Sequence, residues 1–229
     1  MFSDKNGLLL DMNGTFMFGE DNFSATEDFS IHYHEIGGVL GATDLNNIIR
    51  SIYTLLEKIY PDNQYQHNFP SIKSTLEKII INQISDHEIT KIIDTFAYHE
   101  IGYIPGEYVD VLHSLSKRYQ LAVVIDIWSP KSAWLTLFKK QGIDKLFSAS
   151  SFSSDHGMVK PSAKPFELVI NKLGLPKNEC LMIGDSIRRD LGGARAAKLD
   201  CALVGGAEHP DAIGRYDNLI ELSRDLLRD

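Results

Sequence analysis

Leu8-Leu9-Leu10-Asp11-Met12-Asn13-Gly14-Thr15 is the stretch on which the reading of this chain turns. An apolar run of strand character ends in an aspartate, and a glycine follows three residues later. A strand that stops at a carboxylate and enters a tight turn leaves that carboxylate at the C-terminal edge of a sheet. In open α/β sheets that edge is where ligands bind. Asn13 sits two residues further on, where a second acid would be useful.

The chain has 229 residues, 43% of them hydrophobic, enough for one large domain or a core with a smaller companion. Its net charge is −8 with no run of Lys or Arg, which argues against a nucleic-acid partner. Cys180 and Cys201 lie in apolar, strand-like runs and read as buried free thiols. Met1 to Lys5 carry no signal-peptide pattern, and no apolar stretch is long enough for a bilayer. A cytoplasmic protein without membrane partners is the expectation.

Outward from the opening stretch, Phe16 to Glu20 reads as a short hairpin or turn. From Ile31 to Ile101 the pattern becomes helical. Ile48, Ile52, Leu55, Leu56 and Ile59 share one helix face, and Pro61 follows as a stop. Ile72, Leu76, Ile79 and Ile80 repeat the spacing after a start at Pro70-Ser71. Ser85 and Glu88 form a capping box ahead of Ile89, Ile92, Ile93 and Phe96. Successive amphipathic helices without a strand between them predict a helical insertion.

Beyond Pro105-Gly106, helices alternate with strands. Leu121 to Ile125 is a continuous apolar run, as in a strand buried on both faces. Pro130 opens a helix that ends at Gly142, and Leu146 to Ser150 is a weaker strand. Ser162 to Leu173 is helical, Cys180 to Ile183 a strand, Asp190 to Lys198 a helix, and Cys201 to Val204 a last strand. The fold class is α/β, a doubly wound parallel sheet with helices inserted after its first strand.

In such a sheet the loops after the strands open on one side. They carry Asp11, Asp126 and Ser129, then Gly157 to Pro161 with Lys160, then Gly184-Asp185-Ser186-Ile187-Arg188-Arg189-Asp190. A carboxylate can attack phosphorus and form an aspartyl-phosphate. Nucleophile and phosphate are both anionic, so a lysine and an oxygen-ligated Mg²⁺ are the natural counter-charges. Lys160 supplies the first, and Asp185 with Asp190 the oxygens for the second.

With its first-strand Asp, its Lys-Pro and its Gly-Asp-x-x-x-x-Asp, the chain resembles the haloacid dehalogenase-like hydrolase superfamily from Leu8 to about Val204. The resemblance implies a Rossmann-like core at 1–18 and 104–229 and a helical cap at 19–103. It makes Asp11 the nucleophile and places Mg²⁺ between Asp11, the Asn13 carbonyl and Asp185. Asp190 would orient water around the metal, and Lys160 would bridge nucleophile and phosphate. Lys160 and Asp126 would face the substrate, a small phosphorylated metabolite.

Two positions depart from that pattern. The family's phosphatases carry a second Asp, a general acid and base, where this chain has Asn13. Losing a positioned general acid costs about 10²–10⁴-fold in rate. The family's phosphate-binding Ser or Thr at the end of the second strand is replaced by Ile125, followed by Asp126. Ser129 would compensate if its loop bent back. Three readings stay open: a phosphatase with weakened acid catalysis, a silenced binder of a phosphorylated ligand or a protein, and a haloacid dehalogenase. Asn13-Gly14 also reads as a plain turn, and Asp185 and Asp190 as helix-start acids. His32, His34 and His99 read as surface residues of the helical block, and Trp128 and Trp134 as core or crevice wall.

Overall fold

The computed structural model describes residues 2–79 and 84–228. In chain order its elements are β1 (Gly7–Leu10), α1 (Ser30–Glu35), α2 (Ala42–Ile59), α3 (Ile72–Ile79) and α4 (Asp86–Glu100). Then follow α5 (Gly106–Leu115), β2 (Gln120–Ile125), α6 (Ser132–Gln141), β3 (Phe147–Phe152), α7 (Ser153–His156) and α8 (Lys164–Leu173). The last elements are β4 (Cys180–Gly184), α9 (Gly192–Ala197), β5 (Asp200–Leu203), β6 (Gly214–Arg215) and α10 (Leu219–Leu226).

The six strands form one sheet in the order β3-β2-β1-β4-β5-β6, every pair parallel. Leu9 lies beside Ala122 on one flank and Met182 on the other, so β1 is the central strand. Its neighbours are buried on both faces, which explains apolar runs without polar alternation. Leu8, Leu10, Leu121, Val123, Leu181 and Ile183 pack on one side with Leu112, Trp134, Phe138 and Leu222. Leu9, Ala122, Val124, Cys180 and Met182 pack on the other with Phe166, Val169 and Ala194. The chain builds outward from β1 through β2 to β3, then crosses back to β4 on the opposite flank. That reversal opens a crevice at the C-terminal end of β1.

The helical block has its own apolar cluster, with Phe29, Tyr33, Leu45, Ile49, Ile52, Leu56, Ile72, Leu76, Ile92 and Phe96 at its centre. Its entry and exit segments are paired: Phe18 N–H donates to Tyr103 O (2.9 Å) and Tyr103 N–H to Phe18 O (2.8 Å). A side chain at Gly102 would run into the Phe18 carbonyl, so the close pairing requires glycine there.

Several local expectations change. The buried stripe of α2 is Leu45, Ile49, Ile52 and Leu56, while Leu55 faces solvent. Leu45 lies about one turn before the expected start at Ile48, and Ile49 is buried where Ile48 is only half-buried. Ser85 accepts from Glu88 N–H (3.3 Å), but Glu88 does not return the bond. Its carboxylate is drawn instead to Tyr33 Oη and to Lys91 Nζ (2.8 Å). Ser71 accepts from Ser74 N–H (3.1 Å) at the start of α3, and Ile80 falls outside the described residues. Pro130 precedes α6, which starts at Ser132. A π-helical turn, Ile187–Leu191, stands where the helix was expected to begin, and α9 follows it. Both cysteines are buried and free. No helix among the described residues is long and apolar enough to cross a membrane.

Phe96 is fully buried against Phe23, with ring centroids 4.5 Å apart. Phe96→Ala is expected to cost about 3–5 kcal/mol of stability, read as a lower urea midpoint.

Candidate active site

Asp11 directly follows β1, and its N–H still reaches the β4 carbonyl of Ile183 (2.9 Å), so the sheet ladder fixes its backbone. The turn beyond it is tight because Met12 O accepts from Thr15, Phe16 and Met17 N–H. Gly14 takes φ +69°, and the Asp185 carboxylate occupies the space a Cβ would fill. A non-glycine residue there would be strained and would push Asp185 away.

Lys160 arrives from the loop before α8 and is almost fully buried. Its Nζ donates to Asp11 Oδ1 (2.6 Å) and Asp190 Oδ1 (2.7 Å). Asp190 is presented by the π-helical turn, which is closed by Ser186 Oγ accepting from Arg189 N–H (3.2 Å). Its second oxygen accepts from Ser186 N–H (2.9 Å). With both oxygens engaged, Asp190 is built to hold Lys160 and the turn. Gly184 is required beside it, since a Cβ would collide with the Asp190 carboxylate.

Carboxylate oxygens of Asp11, Asp185 and Asp190 lie within 4.8 Å of one another. Burial pushes Asp11 up to about 7, with Asp190 adding to the shift and Lys160 opposing it. Asp185 is also raised, by burial and then by Asp190. Burial disfavours the Lys160 ammonium, but Asp11 and Asp190 outweigh it and hold its pKa up. Crowded carboxylates of this kind are relieved by a cation. Asp185 Oδ1 is buried with no hydrogen-bond partner among the described residues, and so is Asn13 Oδ1. An all-oxygen set with unspent acceptors fits a hard divalent ion such as Mg²⁺.

Asp126, half-buried, directly follows β2, and its Oδ1 is buried with no hydrogen-bond partner among the described residues. Its Oδ2 accepts from Tyr60 Oη (2.6 Å) and from Lys160 N–H (2.9 Å). Ile125 points into the core cluster that includes Ile127 and Phe152. Ser129 is fully buried, and its N–H donates to Glu100 Oε2 (2.9 Å), so its backbone is tied to α4. His99 is buried, not on the surface, set edge-on to Phe29 at 4.8 Å. His32 stacks on Tyr98 at 3.8 Å, and His34 is exposed. Trp134 is core, whereas Trp128 packs against Tyr53, Tyr60, Phe69 and Phe96 of the helical block.

Three participants escaped the sequence reading. Tyr60 directly follows α2, a helix already accounted for by its apolar face. Arg189 lies inside the Gly-Asp-x-x-x-x-Asp motif, where a basic pair between two acids is a visible signal. Glu100 is buried and takes N–H bonds from Trp128 (2.5 Å) and Ser129, tying α4 to the loop after β2.

A profile of haloacid dehalogenase-like hydrolases matches residues 5–198. The chain is 27% identical over 179 residues to the pyrophosphatase PpaX of Halalkalibacterium halodurans, an alignment covering 74% of this chain and 81% of that one. Among solved structures it is similar to YfnB of Bacillus subtilis bound to magnesium, with 18% identity, 98% and 99% of the two chains covered and a TM-score of 0.61. It is also similar to a 2-haloacid dehalogenase of Pseudomonas syringae pv. Tomato, at 18% identity, 97% and 98% coverage and a TM-score of 0.64. At these identities the structural likenesses are likenesses of fold.

Burial pushes Glu100 up to about 7 from 4.5, with its hydrogen bonds opposing. The native state therefore holds the proton more tightly than the unfolded chain. The stability this confers is present below about pH 4.5 and lost as pH rises through about 7. Between those values the wild type is expected to lose on the order of 1–3 kcal/mol relative to Glu100→Gln. Urea midpoints measured across that range for both proteins check the sign and size.

Proposed function

The chain belongs to the haloacid dehalogenase-like hydrolases, and we propose that it is a Mg²⁺-dependent phosphatase acting through an aspartyl-phosphate at Asp11. The observation that carries this reading is the Lys160 ammonium, held between Asp11 and Asp190 at 2.6 and 2.7 Å. A buried lysine so placed lowers the repulsion between an attacking carboxylate and an incoming phosphate. The similarity to a pyrophosphatase supports phosphorus, not carbon, as the centre attacked.

Asp11, the Asn13 carbonyl and Asp185 would hold Mg²⁺, which when bound supplies positive charge beside the phosphate. An Asp11 oxygen forms the bond to phosphorus as the ester oxygen leaves with the bonding pair, and water then cleaves the acyl phosphate. Asp190 keeps Lys160 in line with Asp11. Asn13 cannot hand a proton to the departing oxygen, so esters with good leaving groups are the better substrates. Asp126, committed to Tyr60 and Lys160 N–H, stays out of the phosphate's way.

The helical block acts as the cap, with boundaries near 19–103 against a core at 1–18 and 104–229. The substrate is a small phosphorylated metabolite, and the setting cytoplasmic. A second reading, a silenced protein that binds a phosphorylated ligand, is favoured by Ile125, whose burial leaves the end of β2 without a side-chain donor.

Wild-type protein with Mg²⁺ is expected to hydrolyse p-nitrophenyl phosphate, and EDTA or Asp11→Asn to abolish the reaction. Asn13→Asp should raise turnover of alkyl phosphates by about 10²–10⁴-fold. Absence of turnover in both wild type and Asn13→Asp, with ligand-induced thermal stabilisation retained, selects the silenced binder. Halide release indifferent to EDTA selects a dehalogenase.

A further inference from the structure

Arg189 stands on the π-helical turn between the two motif acids, half-buried, with its guanidinium carbon 5.7 Å from the centre of the Tyr60 ring. Tyr60 is fixed in turn, because its hydroxyl donates to Asp126. The neighbouring arginine behaves differently: Arg188 is exposed and spends its guanidinium on the Pro61 carbonyl. Among the described residues the Arg189 side chain makes no hydrogen bond or ion pair, and its guanidinium lies over the Tyr60 ring. Five N–H donors in a planar fork are thus unspent beside the crevice.

The charge balance explains how a half-buried guanidinium persists this way. Asp11, Asp185 and Asp190 lie close enough to stabilise it through their fields without touching it. A divalent cation on those carboxylates would leave Arg189 balanced only through the fields of Glu20, Asp21 and Asp126, with none of which it forms an ion pair. A planar fork with a fixed aromatic backing is suited to phosphate or carboxylate oxygens, which it can grip in pairs.

We propose that Arg189, backed by Tyr60, holds a second anionic group of the substrate. The favoured substrates are then phosphorylated molecules that carry another phosphate or a carboxylate. This rests on the phosphatase reading for the fate of the first phosphate, while the anion site itself can be measured by binding alone.

The test compares wild type, Arg189→Gln and Arg189→Lys on p-nitrophenyl phosphate, inorganic pyrophosphate and 3-phosphoglycerate. In Arg189→Gln the ratio of kcat/KM for a two-anion substrate to that for p-nitrophenyl phosphate should fall by about 10-fold or more, the size of a lost charge-assisted contact. Arg189→Lys should recover part of it. The pyrophosphate and phosphoglycerate arms report whether the second group is phosphate or carboxylate. A ratio unchanged in Arg189→Gln, even with both activities lowered, makes Arg189 only a contact that seats the helical block and overturns the proposal. Calorimetry with Mg²⁺ and methylenediphosphonate, against methylphosphonate, separates the two readings. Arg189-dependent preference for the diphosphonate without turnover keeps the anion site and removes the phosphatase. Turnover with neither preference does the reverse.

Discussion

The structure depends on one buried ammonium. Lys160 Nζ joins Asp11, at the end of the central strand, to Asp190, on the turn after β4, while its own backbone N–H is held by Asp126 at the end of β2. Three strand ends are thereby referred to a single residue. Removing one partner of a buried ionic set costs about 3–5 kcal/mol, because the remaining charges are left unmatched in low dielectric. The arrangement is therefore both the site and a constraint on the fold around it.

The π-helical turn gives this constraint its shape. Asp185 and Asp190 are separated by four residues, and the wide turn Ile187–Leu191 accommodates them while returning Asp190 to Lys160. Such turns cost regular hydrogen bonding and gather at functional sites. Here the turn also places two arginines at the end of α2, one on the Pro61 carbonyl and one over Tyr60. The same few residues thus support the carboxylates and touch the helical block.

The sequence was most legible where one residue type serves one purpose. Continuous apolar runs gave β2 and β4 within a residue, since both faces of those strands are buried. Gly142 marked a helix end and does adopt left-handed geometry there. The acids and the lysine that meet in the crevice were readable because all follow strands of one parallel sheet. Less legible were β6, too short to leave a pattern, and α10, whose residues lie beyond the region covered by the resemblance. Leu55 was misplaced because periodicity locates a face without saying how far it is covered, and His99 because a histidine without ligand partners reads as surface although Phe29 covers it. Tyr60, Glu100 and Arg189 owe their roles to contacts between the helical block and the core, which no local spacing encodes.

The paired entry and exit of the helical block have an architectural consequence. Phe18 and Tyr103 exchange both backbone hydrogen bonds, so the chain leaves and re-enters the core through what is in effect the mouth of a hairpin. The entropy of closing a loop grows only logarithmically with its length, about 0.6 kcal/mol per doubling, so even this long excursion costs the core only a few kcal/mol more than a short loop. The sheet, the Lys160 ionic centre and the π-helical turn are all built from residues outside the stretch that these two bonds close.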